Sequence, residues 1–216
     1  MGQLVSIANE VTRVLGGIQM LETYLFITPW GDECFNCEKE TIRYFQNADE
    51  KVDFKIINVL NMNIVLKFIK RNHLKGADYN ELFDKMYLTS LDYKAAGFQG
   101  KVKSRKFLTS MQSAIIDDEI PYTYELGTKI AKKVGLDMEM FEADRKSKMV
   151  QAEFKRDQKL AHEMGAEDIP AAVIFNIKND EDGVLMKHYD YEMLASVCKL
   201  KMINKTASAA FTPKLV

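Results

Sequence analysis

Leu21-Glu-Thr-Tyr-Leu-Phe-Ile27, running into Thr28-Pro29-Trp30-Gly31-Asp32-Glu33-Cys34-Phe35-Asn36-Cys37, is the stretch on which the fold turns. Residues 21–27 are aromatic and β-branched, the composition of a buried strand. Pro29 and Gly31 end that strand. Asp32 and Glu33 then suit a helix N-terminus, where the helix dipole favours negative charge, and the spacing predicts a helix from about Asp32 to Gln46. Val52-Asp-Phe-Lys-Ile-Ile57 alternates and then runs apolar, a second strand. Strand, helix and strand make a βαβ unit, whose crossover is right-handed in nearly every known case.

Outward from this unit, the chain turns helical from about Asn63 to Gly165. Leu66, Ile69, Lys70, His73 and Leu74 keep a helical rhythm. Asp78-Tyr-Asn-Glu81 reads as a capping box ahead of an apolar face of Leu82, Phe83, Met86, Tyr87 and Leu91. Ser104 is placed as the cap of a third helix through Ile116, and Pro121 as the opening of a fourth. Gly135 and Asp137 break the pattern. Ser147 to Met164 is the last long helix, with Gly165 as its stop. Strand signals return in Ile169-Pro170-Ala-Ala-Val-Ile-Phe175. The polar loop Asn179–Gly183 and a return strand, Val184 to His188, complete a hairpin. Tyr191 to Met202 closes the chain as a helix. The expected order is βαβ, a helical block, then ββα.

Composition narrows the function classes. The chain has 216 residues, 30 Lys plus Arg and 31 Asp plus Glu, for a net charge of −1. That balance argues against a nucleic-acid footprint, which is usually clearly basic. No apolar run approaches the roughly 18 residues of a transmembrane helix. Three cysteines make no disulfide framework. No secretory signal is evident in Met1 to Gly17, so a cytoplasmic protein with reduced thiols is expected. Met1 to Ser6 fits the permissive myristoylation pattern, without other support for a membrane. Ile7 to Leu15 is apolar enough for a short docking helix, and Asn204 to Val216 reads as a loose tail.

Cys34-Phe-Asn-Cys37 is the first chemical candidate. A C-x-x-C at a helix N-terminus is suited to thiol–disulfide chemistry, because the dipole lowers the thiol pKa and the second cysteine resolves the mixed disulfide. Free cysteine is also a common small core hydrophobe. A zinc site is not expected: Cys198 and the isolated His73, His162 and His188 offer no second ligand pair. No cofactor is implied. Met138, Met140, Met149 and Met164 read mostly as core filler, and Trp30 as half-exposed over the site or else core. The basic run Lys101-Val-Lys-Ser-Arg-Lys106 reads as a solvated helix start that could also steer an acidic partner.

This element order, the C-x-x-C region and Ile169-Pro170 at the start of a late strand resemble the thioredoxin fold of the DsbA family, with its helical insertion. That fold places a cis-proline opposite its redox helix. The narrower resemblance is to the SpxH family of DsbA-like cytosolic adapters. It is carried by Leu25-Phe-Ile-Thr-Pro29, Phe141-Glu-Ala-Asp144, Phe154-Lys-Arg-Asp157, Glu163-Met164, Ile169-Pro170 with Val173-Ile-Phe-Asn176, Glu181-Asp-Gly183 and Tyr189-Asp-Tyr191. The resemblance spans about residues 20–200. It implies an α/β thioredoxin-like domain built from residues 18–60 and 147–203, a helical insertion over 61–146, and terminal extensions at 1–17 and 204–216. It also implies binding of the transcription factor Spx and its delivery to the ClpXP protease.

The register of the redox motif then matters most. The family pattern after the first strand is Pro, one residue, then Cys-x-x-Cys. Laid without gaps on Pro29-Trp30, the nucleophile position falls on Gly31 and the resolving position on Cys34. Phe35 and Glu38 then match the aromatic and acidic positions further along. The alternative register makes Cys34 the nucleophile and Cys37 the resolver, at the cost of three extra loop residues. The first register favours an adapter with a binding groove at Trp30, Gly31, Ile169 and Pro170. The second favours a thiol-disulfide oxidoreductase or dithiol-disulfide isomerase. A glutathione-using enzyme on the same fold finds no serine at the helix start.

Overall fold

The computed structural model describes residues 20–47, 51–176 and 183–203. The proposed docking helix at Ile7–Leu15, the myristoylation pattern, the tail from Asn204 and most of the Asn179–Gly183 loop lie outside these residues. Strand β1 (Met20–Ile27) is followed by helix α1 (Asp32–Gln46) and strand β2 (Lys51–Asn58). Helices α2 (Met62–Arg71), α3 (Tyr79–Gly97), α4 (Lys101–Gln112), α5 (Tyr124–Lys133), α6 (Met138–Asp144) and α7 (Lys148–Glu163) come next. Strands β3 (Ala171–Asn176) and β4 (Val184–Lys187) and helix α8 (Tyr191–Ile203) complete the order.

The sheet runs β2-β1-β3-β4. β1 pairs parallel with β2, and antiparallel with β3, which pairs antiparallel with β4. This is the α/β thioredoxin-like architecture with helices inserted between its βαβ and ββα halves. Leu21, Thr23 and Leu25 of β1 are buried while Glu22 and Tyr24 are partly open, a period-2 alternation that gives way to burial on both faces at Phe26 and Ile27. Helix α1 packs against α8, and α7 against β2 and α3. Gln158 on α7 donates to the Asn58 carbonyl at 2.8 Å and accepts from Leu60 N–H at 2.9 Å, which fixes the exit of β2.

Several local expectations are corrected. Helix α2 stops at Arg71 instead of running through Leu74. Leu74 N–H returns to the Ile69 carbonyl and His73 N–H to the Lys70 carbonyl, a Schellman close with His73 in the left-handed position at φ 51°. Gly135 and Gly165 play the same part after α5 and α7. Asp78 caps α3 by accepting from Asn80 and Glu81 N–H, but Glu81 pairs with Lys85 and makes only half of a capping box. Ser104 is not a cap: it lies buried within α4, which starts earlier, after Gly100. Pro121 does not open α5, because Thr123 caps it by accepting from Leu126 N–H at 3.1 Å. A short π-helical turn, Ser113–Asp117, extends α4. Met140 and Met149 are exposed and fill no core.

Candidate functional site

The site grows from the turn after β1. Trp30 is in the core and not half-exposed. Its Nε1–H donates to Thr89 Oγ1 at 3.1 Å, and its ring meets Phe68 edge-on at 5.6 Å, which anchors the turn to α3 and α2. Gly31 is the N-cap of α1, with φ 109° and ψ 133°. An added Cβ would meet nothing within 4 Å, yet this backbone region strongly disfavours any L side chain. The first residue at the mouth of α1 is therefore shaped for glycine.

Cys34 lies one turn behind and is 4% exposed. Burial pushes its thiol up to about 12, against the lowering effect of a hydrogen bond from the Thr28 backbone. Burial likewise raises Cys37 to about 11, with Glu33 and Glu40 adding to it. Cys37 Sγ donates to the Tyr189 carbonyl at 3.4 Å, and the Tyr189 hydroxyl pairs with Thr41. Cys34 and Cys37 are not joined in a disulfide. Two thiols held protonated in the core supply little thiolate at neutral pH, and thiolate is the reactive form.

The Ile169-Pro170 peptide bond is cis. The antiparallel register pairs Ala171 with Lys187, so His188 arrives beside Pro170 and donates its N–H to the Pro170 carbonyl at 3.1 Å. His188 Nδ1 then meets Glu33 Oε1 at 2.5 Å, and Glu33 Oε2 meets Arg71 at 2.6 Å. Burial alone would raise the Glu33 carboxyl, but the His188 and Arg71 donors hold it below the usual glutamate range. Lys67 pairs with Asp168, and Asn61 Nδ2 donates to the Glu167 carbonyl at 3.2 Å. These links join the mouth of α1, the flank of α2 and the proline loop around a groove of about 830 Å³.

Trp30, Gly31, Cys34, Ile169 and Pro170 all line this groove, and Cys37 does not. Met62 and Leu66 line it too, at 63% and 48% exposure, and give it an apolar edge open to solvent. Sequence reasoning missed the trio of Glu33, Arg71 and His188 and treated His188 as isolated. The missing signal was topological: once Ala171 is paired with Lys187, the residue after β4 must sit beside the residue before β3. His162 similarly finds Glu167, five residues on, at 2.9 Å. Among the described residues no cluster of His, Cys, Asp or Glu is placed to hold a metal ion, and no helix is long and apolar enough to cross a membrane.

A family model described as thioredoxin matches residues 24–196. The chain is 25% identical over 202 residues to the ClpXP adapter protein SpxH of Staphylococcus saprophyticus subsp. saprophyticus, covering 93% of this chain and 73% of that one. It is 28% identical over 207 residues to the protein of the same description from Staphylococcus aureus, with the same coverage. Among solved structures it superposes on a putative protein disulfide isomerase from Nitrosomonas europaea with a TM-score of 0.65 and 12% identity, covering 88% of this chain and 100% of that one. On the oxidoreductase DsbA from Xylella fastidiosa the TM-score is 0.61 at 13% identity, with 87% and 88% covered. At such identities these two structures establish the fold and not an activity.

Proposed function

The chain belongs to the thioredoxin family, matched over residues 24–196, and from that premise we propose that it is a cytosolic adapter. It binds a Spx-like transcription factor in the groove and promotes its degradation by ClpXP. The observation that carries this is at the mouth of α1. Gly31, on which the ungapped register sets the nucleophile, holds a conformation that favours glycine, and the thiol behind it is buried, which raises its pKa. The same groove keeps what recognition needs: an apolar edge at Met62 and Leu66, and the backbone that precedes Pro170. A partner segment pairs there by strand addition, with side chains against the apolar edge. The similarity to the two staphylococcal ClpXP adapters over 93% of the chain supports the same use. Residues 18–60 and 147–203 act as one thioredoxin-like domain, with 61–146 as its helical insertion and 1–17 and 204–216 as extensions.

The test is a reconstituted degradation assay with Spx, ClpXP and ATP under reducing conditions. Added wild-type chain is expected to speed degradation. Cys34→Ala/Cys37→Ala, once shown to be folded, keeps that acceleration. Met62→Glu/Leu66→Glu loses most of it, on the order of tenfold, because charge replaces the apolar anchor sites. Acceleration that vanishes with the thiols, together with turnover of a disulfide substrate, would establish the oxidoreductase instead.

A further inference from the structure

Helix α1 has a second surface that the groove does not use. Its flank, with α4 and α5, bounds an open pocket of about 710 Å³. Five cations line it: Lys39, Arg43, Arg105, Lys106 and Lys133. The carboxylate among its lining residues, Glu38, is buried and accepts a hydrogen bond from Gln112 at 2.8 Å. In a chain of net charge −1, that concentration is a strong local asymmetry. Arg43 is paired with Glu40. Lys39 lies over the Phe35 ring, and Arg105 over Phe54. Lys106 and Lys133 are exposed and have no carboxylate partner among the described residues. The floor is apolar, formed by Phe35, Ile42, Val102 and Val134, and Val102 is left 70% exposed.

We propose that this pocket is a second docking site, which takes a segment of the protein partner carrying acidic residues around one apolar anchor. The anchor seats on the Phe35, Ile42 and Val102 floor, and the acids face the Lys106 and Lys133 side. Exposed cations around exposed apolar surface favour such a segment by charge complementarity, which raises the association rate and rejects basic partners. The basic run at 101–106 thereby gains a place: Arg105 and Lys106 line the pocket, while Lys101 is occupied with Asp53 at 2.8 Å. The proposal rests on the adapter reading, and it gives that adapter two contact surfaces on one helix.

The test is fluorescence anisotropy with a labelled twelve-residue peptide carrying four glutamates around one phenylalanine. Saturable binding that weakens with salt is expected. Lys106→Glu/Lys133→Glu should weaken it at least about tenfold, whereas Lys75→Glu/Lys155→Glu, a charge reversal of the same size elsewhere, should leave it within about twofold. A peptide with serine in place of the phenylalanine should bind more weakly to wild type. No saturable binding, or equal loss with both double variants, overturns the proposal. The degradation assay is run beside it. Acceleration by the wild-type chain without peptide binding at this pocket overturns the second site and leaves the adapter standing. Peptide binding lost with Lys106→Glu/Lys133→Glu, but no acceleration by wild type, leaves the pocket standing and ends the adapter reading.

Discussion

The charged residues of the groove and those at the centre of the helical layer are chemically alike and physically opposite. In the groove, Glu33 bridges His188 and Arg71, and Lys67 meets Asp168, with every partner open to solvent to some degree. In the helical layer, the side chains of Asp92 and Arg145 are 0% and 1% exposed. Arg145 Nε donates to Asp92 Oδ1 at 2.8 Å and its Nη2 to Oδ2, while the Tyr122 hydroxyl donates to Oδ2 at 2.7 Å. Burial pushes the Asp92 carboxyl up, and the Arg145 and Tyr122 donors oppose it. The guanidinium is also stacked over the Tyr124 ring at 3.6 Å. Water screens the first set, so its pairs are weak and exchangeable. The second set has no water to fall back on, and its members depend on each other. One set can tune recognition, and the other holds helices α3, α5 and α6 together.

The largest expected effect follows from that dependence. Arg145→Ala leaves the Asp92 charge uncompensated in the interior and should cost about 3–5 kcal/mol, read as a lowered urea midpoint. Gly127→Ala attacks the same centre by volume alone. Its added Cβ would sit 2.5 Å from Asp92 Oδ2, 2.6 Å from the Tyr122 hydroxyl and 2.9 Å from Arg145 Nη2. Overpacking of this kind costs about 1–3 kcal/mol, so the midpoint should again fall. An unchanged midpoint in Gly127→Ala would mean the cluster has slack, and the contrast with the groove would lose its sharper half.

Between the two regions stands Glu38, buried on α1 yet facing the flank pocket. Burial raises its carboxyl to about 7, against the lowering pull of the Gln112 hydrogen bond and Arg105. Gln112 Oε1 is itself buried and without a hydrogen-bond partner. Because folding raises this pKa, the folded chain keeps a proton that the unfolded chain releases. The stability contributed is fully present below the unfolded value of about 4.5, and it is lost as pH rises to about 7. The loss is on the order of 3 kcal/mol. Glu38→Gln should flatten stability across that window and raise it at pH 8. A variant whose pH profile matches wild type would show that Glu38 is ionised in the fold.

How much of this was legible in the sequence depends on how local each signal is. Helix α1 was expected from Asp32 to Gln46 and spans those residues, because a largely apolar strand, a turn holding Pro29 and Gly31, and two N-terminal acids are all adjacent. The stop at Gly165 and the start of α7 near Ser147 are likewise local. Ser104 and Pro121 misled because a better-placed neighbour won the same role: Gly100 starts α4 earlier, and Thr123 reaches Leu126 N–H. Arg145 lies 53 residues from Asp92, and His188 lies 155 from Glu33, so no period or spacing connects them. The choice between the two cysteine registers rests on the family resemblance alone, while the positive-φ backbone that suits glycine at Gly31 needed the structure.

The smallest expected effect is also the most discriminating. Glu33→Gln removes the charge that joins His188 to Arg71 while leaving a hydrogen-bonding side chain of similar size. Partners this exposed contribute little to folding, so stability at pH 7 should change by less than about 1 kcal/mol. The folded pKa of Glu33 is lowered, so its small contribution is present above the usual glutamate range and lost as pH falls through the lowered value. The variant should lack that acid limb. Its effect belongs in recognition: with α2 and the proline loop no longer linked through α1, the apparent affinity for the degradation substrate should shift several-fold while the urea midpoint barely moves. A midpoint that drops as far as in Arg145→Ala would show that the groove's charges hold the fold as the buried ones do, and the difference between the two regions would be one of exposure without consequence.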